Sequence, residues 1–123
     1  AVLDIEKALQ SLAYRSTDKQ VEVTCQKNLG IQAIDIAEAV LRISQEAVTN
    51  FLKHSNGNRQ SISLSRQGNT LCLFIEDNGS VQHFKEGNGL TGMQERANDV
   101  GAELIVEAKG RGFNLQLTFE DNV

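Results

Sequence analysis

The sequence has 123 residues, with 12 Lys and Arg against 16 Asp and Glu and a net charge of −4, which argues against a surface evolved for broad contact with nucleic acid or anionic lipid. This length suits one domain, residues 1–123, and is too short for two. No stretch approaches the roughly 20 apolar residues of a membrane span, and nothing near Ala1 resembles a signal peptide. We therefore expect a soluble domain. Because the chain starts at Ala1 and its only methionine is Met93, we also expect a fragment of a longer protein.

The two cysteines give no sign of a metal site or a redox pair. Cys25 and Cys72 each lie alone in a stretch of alternating apolar residues, with no CxxC spacing and no nearby pair of histidines. We predict that both are buried free thiols. That pattern suits a reducing cytoplasm.

The first half of the chain predicts a short helix, a strand and a long helix. Apolar residues within 8–12 form a short helical face, and residues 20–27 alternate like a half-buried strand. A long segment from Asp35 to about His54 then carries apolar residues at steps of three or four. Asp35, followed three residues later by Glu38, resembles a capping box at the start of this helix.

The next segment predicts a hairpin that leads into a glycine-rich loop. Residues 60–66 alternate apolar and polar side chains, residues 68–69 are Gly-Asn, and residues 70–76 are nearly continuously apolar. Between residues 77 and 92 the periodicity disappears and four glycines occur, which is typical of a loop with special backbone requirements. Functional groups often lie in such loops.

The last segment predicts one more helix and two strands. A helical stripe beginning at Leu90 ends near Gly101, a predicted C-cap, and two strands follow around Leu104 and Leu115. The helices suffice to cover one face of a single sheet. We therefore predict a two-layer α/β sandwich of the α+β class.

A polar stripe accompanies the apolar stripe of the long helix. Arg42, Glu46, Asn50 and Lys53 or His54 recur at steps of three or four and share a helix face. Amphipathic helices carry such stripes as a matter of course. Here, however, a carboxylate and a carboxamide one turn apart offer the oxygen ligands that Mg²⁺ uses while it keeps several waters.

The glycine loop and the end of the preceding strand add two further features. Residues 87–92, GNGLTG, lead into a helix whose free N–H groups can receive phosphate oxygens. They also satisfy the dinucleotide fingerprint GxGxxG, but about ten loop residues separate them from the strand, whereas that fingerprint needs a tight turn. Asp77 leaves a buried strand and could accept the exocyclic amino proton of adenine, although Asp-Asn-Gly is also ordinary turn chemistry.

Together, in this order and spacing, these features resemble the Bergerat-type fold shared by gyrase, heat-shock chaperone, mismatch-repair and histidine kinase ATPases. Residues 45–54, QEAVTNFLKH, resemble the N box; residues 77–79, DNG, resemble the first glycine box; and residues 87–96, GNGLTGMQER, resemble the second. The amino-acid sequences of the N box and the second glycine box are similar to those of the sensor histidine kinases for nitrate, hexose phosphate and membrane fluidity. The resemblance covers nearly the whole chain.

The resemblance implies an ATP-binding catalytic domain with a mixed sheet covered on one face by helices. It implies that Asn50 ligates Mg²⁺ on the ATP phosphates, that Glu46 is a metal-shell ligand or general base, and that Asp77 recognises adenine. Gly87 and Gly89 would form a lid beside the phosphates. The other implied nucleotide-binding residues are Lys53 and His54 at the phosphate end, and Gly79, Leu90, Gly92 and Met93 along the pocket.

The resemblance also implies partners outside this chain. The γ-phosphoryl of ATP would pass to a histidine on a separate dimerisation domain of the same protein, and then to an aspartate of a response regulator. Neither His54 nor His83 lies on a long coiled-coil-like helix, so we assign no phosphoacceptor here. The implied parent is a membrane-anchored homodimer of the bacterial inner membrane with this domain in the cytoplasm, and no nucleic acid is expected as a partner.

Two positions depart from the family pattern and keep other functions open. Val81 stands where the first glycine box usually has a second glycine, and valine resists positive φ. Gly112-Phe113 stands where the last hairpin commonly carries Gly-Thr. The alternatives are a serine kinase of the anti-sigma type on the same fold, and a degenerate, nucleotide-free interaction module. Val81 favours the module, and four intact residues disfavour it: Glu46, Asn50, Asp77 and Gly89.

Overall fold

The computed structural model describes residues 4–80, 90–107 and 111–121. Within these ranges it contains three helices and a six-stranded sheet. The helices are α1 (Ile5–Gln10), α2 (Ile34–His54) and α3 (Leu90–Asp99), and the strands are β1 (Tyr14–Arg15), β2 (Gln20–Cys25), β3 (Arg59–Gln67), β4 (Thr70–Ser80), β5 (Glu103–Glu107) and β6 (Arg111–Glu120).

The sheet is mixed, as the resemblance implied. Its strand order is β1-β2-β3-β4-β6-β5. β2 and β3 run parallel and α2 connects them, while each of the other neighbouring pairs is antiparallel. A parallel pair requires a long crossover connection of this kind, so α2 is placed across the sheet by the chain topology itself.

The hydrophobic core lies between the helices and one face of the sheet. Alternate residues of the central strands point to this face and are buried, as the alternation in the sequence predicts. α2 supplies the largest helical share, because its apolar residues recur on one side. The predicted two-layer sandwich of the α+β class is confirmed. The core includes Ile36, Val40, Ile43, Phe51, Ile62, Leu64, Leu73, Ile75, Met93 and Leu115.

Several sequence-based boundaries are correct. The predicted short helix is α1, and the structure adds a cap at Asp4, whose side chain accepts a hydrogen bond from the Lys7 N–H. β3 and β4 form the predicted hairpin around Gly68, which has φ +61°. α3 ends before Gly101, whose φ of +71° is the left-handed conformation expected of a glycine at a helix C-terminus.

Other predictions about local structure are wrong. α2 begins at Ile34 after Ala33, which has no side-chain cap, and Asp35 instead accepts from the Ile36 N–H inside the first turn; the predicted capping box is absent. β4 continues to Ser80, so the first residues assigned to the glycine loop are strand. Continued pairing with β6 up to Ser80 explains this extension.

The cysteines and the short strand β1 also differ from expectation. Cys25 and Cys72 are free thiols, as predicted, but both are only half-buried. Burial, with smaller contributions from Glu6 and Asp4, raises the pKa of the Cys25 thiol. β1 has only two residues and follows no apolar alternation, so the sequence pattern did not predict it. Within the described ranges no helix is both long and apolar enough to cross a membrane.

Candidate functional site

The site is built around Asp77, near the end of β4. The residues of β4 that face the helices alternate with outward-facing ones, and Asp77 continues this buried series with 8% exposure. A buried carboxylate must be hydrogen-bonded, and its Oδ1 accepts a bond of 2.8 Å from the Gly79 N–H. The carboxylate of Asp77 is therefore held in a fixed orientation on the helix-covered face of the sheet.

Gly79 is required here by the close approach of another part of the chain. A Cβ at Gly79 would collide with Ser55 Oγ, and a Cβ at Gly57 would lie 2.5 Å from the Gly79 backbone nitrogen. Real Cβ atoms do not approach backbone so closely. Both positions thus need glycine for packing between the segment after α2 and the end of β4.

Asparagine side chains reinforce the same contact. Asn78 Oδ1 accepts from the Asn58 and Arg59 N–H groups at 2.9 and 3.0 Å, and Asn78 Nδ2 donates to Asn58 Oδ1 at 2.6 Å. Asn56 Oδ1 accepts from the Ser80 N–H at 2.8 Å. We call this set of contacts, between residues 55–59 and 77–80, the strand-end junction. It fixes the end of α2 relative to Asp77.

A third segment reaches Asp77 from β6. The pairing of β4 with β6 shifts between Asp77 and Ser80, which is a bulge that redirects the strand end. Gly112 lies opposite, with φ +95°, and a Cβ there would be 2.5 Å from the Asp77 carbonyl oxygen. Its neighbour Phe113 is 2% exposed and pairs with Asp77 across the strands, so an aromatic side chain adjoins the carboxylate.

The predicted metal ligands and the two predicted cations of α2 differ in burial. Asn50 is buried at 7% exposure and Glu46, one turn earlier, is half-buried; residues four apart share a helix face. Lys53 and His54, in the last turn, are exposed. Burial along this stripe of α2 therefore ends at Asn50, and Lys53 and His54 continue it into solvent.

Glu46 and Asn50 together form a donor set that fits Mg²⁺. The described residues contain no group of three or more His, Cys, Asp or Glu side chains that could hold a metal ion. Mg²⁺ is commonly bound through one or two protein oxygens, with waters and substrate phosphates completing its octahedron. Glu46 and Asn50 offer that number of ligands.

The end of α2 is held by a residue that the sequence analysis did not identify. Lys19 Nζ donates to the carbonyl oxygens of Phe51, Leu52 and Ser55 at 2.6, 3.3 and 2.6 Å. It also lies 4.8 Å from the centroid of the Phe51 ring. A cation at these carbonyls complements the negative end of the helix dipole. Nothing in the polar turn around Lys19 distinguishes it from an ordinary solvated lysine.

Gln60 is a second buried polar residue that the sequence analysis did not assign. It is 2% exposed, and its Nε2 donates to the Ala47 carbonyl oxygen of α2 at 3.2 Å. It lies opposite Asp77 in the β3–β4 pairing. The sequence did contain a signal, because Gln60 stands at the apolar phase of the alternation that continues with Ile62 and Leu64.

The remaining predicted nucleotide-binding residues lie in the first turn of α3 or in the segment before it. Met93 is 1% exposed and belongs to the core, and Leu90 and Gly92 are half-buried. Apart from its chain neighbours and its own helix backbone, no described atom lies within 4 Å of a Cβ built at Gly92. The predicted lid residues Gly87 and Gly89, together with Val81 and His83, lie outside the described residues. The helix begins at Leu90.

A cavity of about 830 Å³ opens beside the strand-end junction. It reaches Asp77, Gly79 and Gln60, but its wall also includes Glu22 and Glu76, whose side chains lie on the uncovered face of the sheet. Asn50 and Met93 are absent from its described wall. This cavity therefore lies at the end of the sheet rather than in the space beside α2.

Comparisons with known proteins locate relatives among sensor proteins. No family model matches the chain. The chain is 41% identical over 87 residues to the sensor protein VraS of Staphylococcus epidermidis and 38% identical over 87 residues to VraS of Staphylococcus aureus; each match covers 67% of this chain and 25% of the relative. The chain thus spans about a quarter of the length of these curated relatives.

Solved structures of histidine kinases share the fold. The blue-light-activated histidine kinase of Erythrobacter litoralis superposes with a TM-score of 0.71 at 20% identity, covering 94% of this chain and 39% of that chain. The histidine kinase AdeS of Acinetobacter baumannii gives 0.70 at 13% identity (97% and 60%), and the histidine kinase domain of the E. coli osmosensor EnvZ gives 0.63 at 15% identity (97% and 84%).

These similarities confirm two expectations from the sequence. The fold is the one seen in histidine kinases, and the resemblance to sensor kinases is supported by the VraS relatives. The finer resemblance, to nitrate and hexose-phosphate sensors, stays a prediction.

Proposed function

We propose that this chain binds Mg-ATP and acts as the catalytic domain of a two-component sensor kinase. The observation that carries the proposal is the carboxylate of Asp77, buried at 8% exposure and oriented by the Gly79 N–H. A fixed acceptor on an apolar face suits recognition of a base amine. The similarity to sensor proteins and the shared fold support the same function.

Within this proposal, the two ends of the nucleotide contact different elements. Asp77 accepts a proton of the adenine amine, with Gly79 beside it and Leu90, Gly92 and Met93 along the pocket. Asn50 and Glu46 hold Mg²⁺, which neutralises phosphate charge when it is bound. Lys53 and His54, which are exposed at the end of α2, approach the phosphates from the solvent side, and Gly87 and Gly89 form the lid.

The strand-end junction has a clear role in this arrangement. Phosphoryl transfer depends on positioning and charge stabilisation more than on covalent chemistry by the protein. The junction couples the end of α2, which carries the proposed metal ligands, to the strand that carries Asp77. It therefore keeps the base site and the phosphate site at a fixed separation.

The acceptor of the phosphoryl group lies outside this chain in the proposal. A histidine on a dimerisation domain of the same protein receives it and passes it to a response regulator. The proposed parent is a membrane-anchored bacterial homodimer, with this domain in the cytoplasm and no nucleic acid partner.

Calorimetric titration with a non-hydrolysable ATP analogue and Mg²⁺ tests the proposal. We expect saturable binding that weakens at least tenfold in both Asn50→Ala and Asp77→Asn, because each removes one specific ligand contact. Asn98→Ala, an exposed change on α3, is the matched control and should bind normally. No heat up to millimolar nucleotide, with the circular dichroism spectrum intact, would contradict the proposal and favour a nucleotide-free interaction module.

A second test separates the two kinase alternatives. The chain should phosphorylate a histidine-bearing dimerisation domain supplied in trans, and the product should be labile in acid. Acid-stable phosphoserine on a protein substrate would instead favour a serine kinase of the anti-sigma type.

A further inference from the structure

The side-chain amide of Gln60 is buried, and only one of its two polar atoms is hydrogen-bonded. The residue is 2% exposed and its Nε2 donates to the Ala47 carbonyl oxygen. Its Oε1 is fully buried and has no hydrogen-bond partner among the described residues. Buried polar atoms in folded proteins are nearly always hydrogen-bonded, so this acceptor requires an explanation.

The orientation of the amide is fixed by its partner on α2. The Ala47 carbonyl can only accept, and the amide offers donors on one side and an acceptor on the other. Turning the amide over would set two oxygens against each other. Gln60 Oε1 must therefore point away from the Ala47 carbonyl.

Gln60 and Asp77 are neighbours on the same face of the sheet. They are directly paired between β3 and β4, and Phe113 is paired with Asp77 on the other side. Facing residues of antiparallel strands place their Cβ atoms about 4.5–5.5 Å apart. Two acceptor-bearing side chains and a buried aromatic residue thus form one row across β3, β4 and β6 on the helix-covered face.

Two adjacent acceptors match a ligand group that carries two protons. The two hydrogen bonds of one amino group, each about 2.9 Å long and about 120° apart, end on acceptors that are about 5 Å from each other. The exocyclic amine of adenine has two such protons, whereas guanine presents a carbonyl oxygen at that position. That oxygen would face two acceptors and be repelled.

We propose that Gln60 is a specificity-determining residue of the nucleotide site, whose Oε1 accepts the second proton of the adenine amine while Asp77 accepts the first. This inference rests on the proposed nucleotide-binding function. It extends that function by assigning part of the preference for adenine over guanine to a residue on β3.

Replacement of Gln60 by leucine should keep or raise the stability of the chain but reduce its preference for adenine over guanine. Leucine has a similar size, it removes the unpartnered acceptor, and it leaves the Ala47 carbonyl within the hydrogen-bond ladder of α2. If Gln60 served only the fold, its replacement would lower the free energy of unfolding. Removal of a buried acceptor that has no partner would not lower it. We expect Gln60→Leu to unfold at the same or a higher urea concentration than the wild-type chain.

The binding experiment compares non-hydrolysable ATP and GTP analogues with Mg²⁺ on the 123-residue chain. We expect Gln60→Leu to bind the ATP analogue on the order of tenfold more weakly, as loss of one buried hydrogen bond implies, while its affinity for the GTP analogue does not fall. Gln116→Leu makes the same change on the uncovered face and should leave both affinities unaltered.

An N6-methylated ATP analogue tests the same contact without depending on the variant. We expect the wild-type chain to bind it on the order of tenfold more weakly than the unmethylated analogue, because one amine proton is replaced. Gln60→Leu should show a much smaller difference between the two ligands.

The outcomes separate this inference from the proposed function. If the wild-type chain binds the ATP analogue but tolerates N6-methylation, or if Gln60→Leu keeps the wild-type ratio of ATP to GTP affinity, the role of Gln60 is overturned and nucleotide binding stands. If the wild-type chain binds neither analogue, both are overturned.

Discussion

Two glycine-containing regions of this molecule place their glycines in different surroundings. At the strand-end junction, a methyl group on Gly57 would lie 2.5 Å from the Gly79 nitrogen, so the protein's own backbone occupies the space. At the start of α3, apart from its chain neighbours and its own helix backbone, no described atom lies within 4 Å of a methyl group on Gly92. The first region needs glycine to fold. In the second, the described part of the chain gives no steric reason for it.

This contrast matters because glycine within a helix is unfavourable. Gly92 is the third residue of α3, and glycine in a helix interior costs about 0.5–1 kcal/mol relative to alanine. A cost without a packing reason is expected where a ligand approaches the backbone closely. Gly79 of the first glycine box is thus required by packing within the described chain, whereas Gly92 of the second suits the close approach of the nucleotide that we propose.

The largest expected effect is that of Gly57→Ala. The added methyl group meets backbone and the Asn78 side chain, which cannot both move away, and overpacking of this kind costs about 2–3 kcal/mol. Urea unfolding of the variant should show that loss of stability. Wild-type stability would contradict the close packing on which the comparison depends.

A somewhat smaller loss is expected for Lys19→Met. The change keeps an apolar stem but removes the cation from three carbonyl oxygens at the end of α2, and we expect a loss of about 1–2 kcal/mol. Lys27→Met, at an exposed position after β2, is the control. Equal stability of the two variants would show that Lys19 does not anchor the helix.

Gly92→Ala should change stability in the opposite direction. We expect a gain of about 0.5–1 kcal/mol in urea unfolding, because alanine favours the helix and no described atom obstructs it. Binding of the ATP analogue, measured by calorimetry on the same sample, should weaken. A variant with increased stability and undiminished binding would contradict this interpretation, since glycine at position 92 would then be needed neither for packing nor for nucleotide binding.

The smallest effect is expected on the uncovered face of the sheet. Arg59 and Glu22 form an ion pair of 3.1 Å with side chains that are 66% and 48% exposed, and exposed pairs contribute little. Glu22→Gln should change the free energy of unfolding by less than about 0.5 kcal/mol and leave nucleotide binding unchanged. A marked loss of nucleotide binding would instead indicate that the nucleotide binds on this uncovered face.

Much of the fold could be predicted because it depends on repeating patterns. The alternation in β3 and the three-to-four spacing in α2 identify a buried face in each case, and the topology then brings those faces together. The capping box was wrong because a pattern of residue types at Asp35 and Glu38 does not specify the residue at which the helix begins.

The candidate site was predicted less completely. Asp77, Glu46 and Asn50 stand in recognisable motifs, and the structure places Asp77 and Asn50 in buried positions. Lys19 acts on carbonyl groups 32 or more residues away, and no local pattern encodes such a contact. Gln60 was visible as a polar residue at an apolar position, but its relation to Asp77 needs the register of β3 with β4.

The most direct test of the proposed site is to map the nucleotide by NMR. Backbone and side-chain amide signals of the chain should be followed while a non-hydrolysable ATP analogue and Mg²⁺ are added. We predict the largest shifts at Asn50, Gln60, Gly79 and Gly92, with small shifts at Ile105 and Gln116 on the uncovered face. Shifts concentrated at Glu22, Ser61 and Asn114, with Asn50 and Gly79 unaffected, would place the ligand in the cavity beside the open sheet and contradict the account.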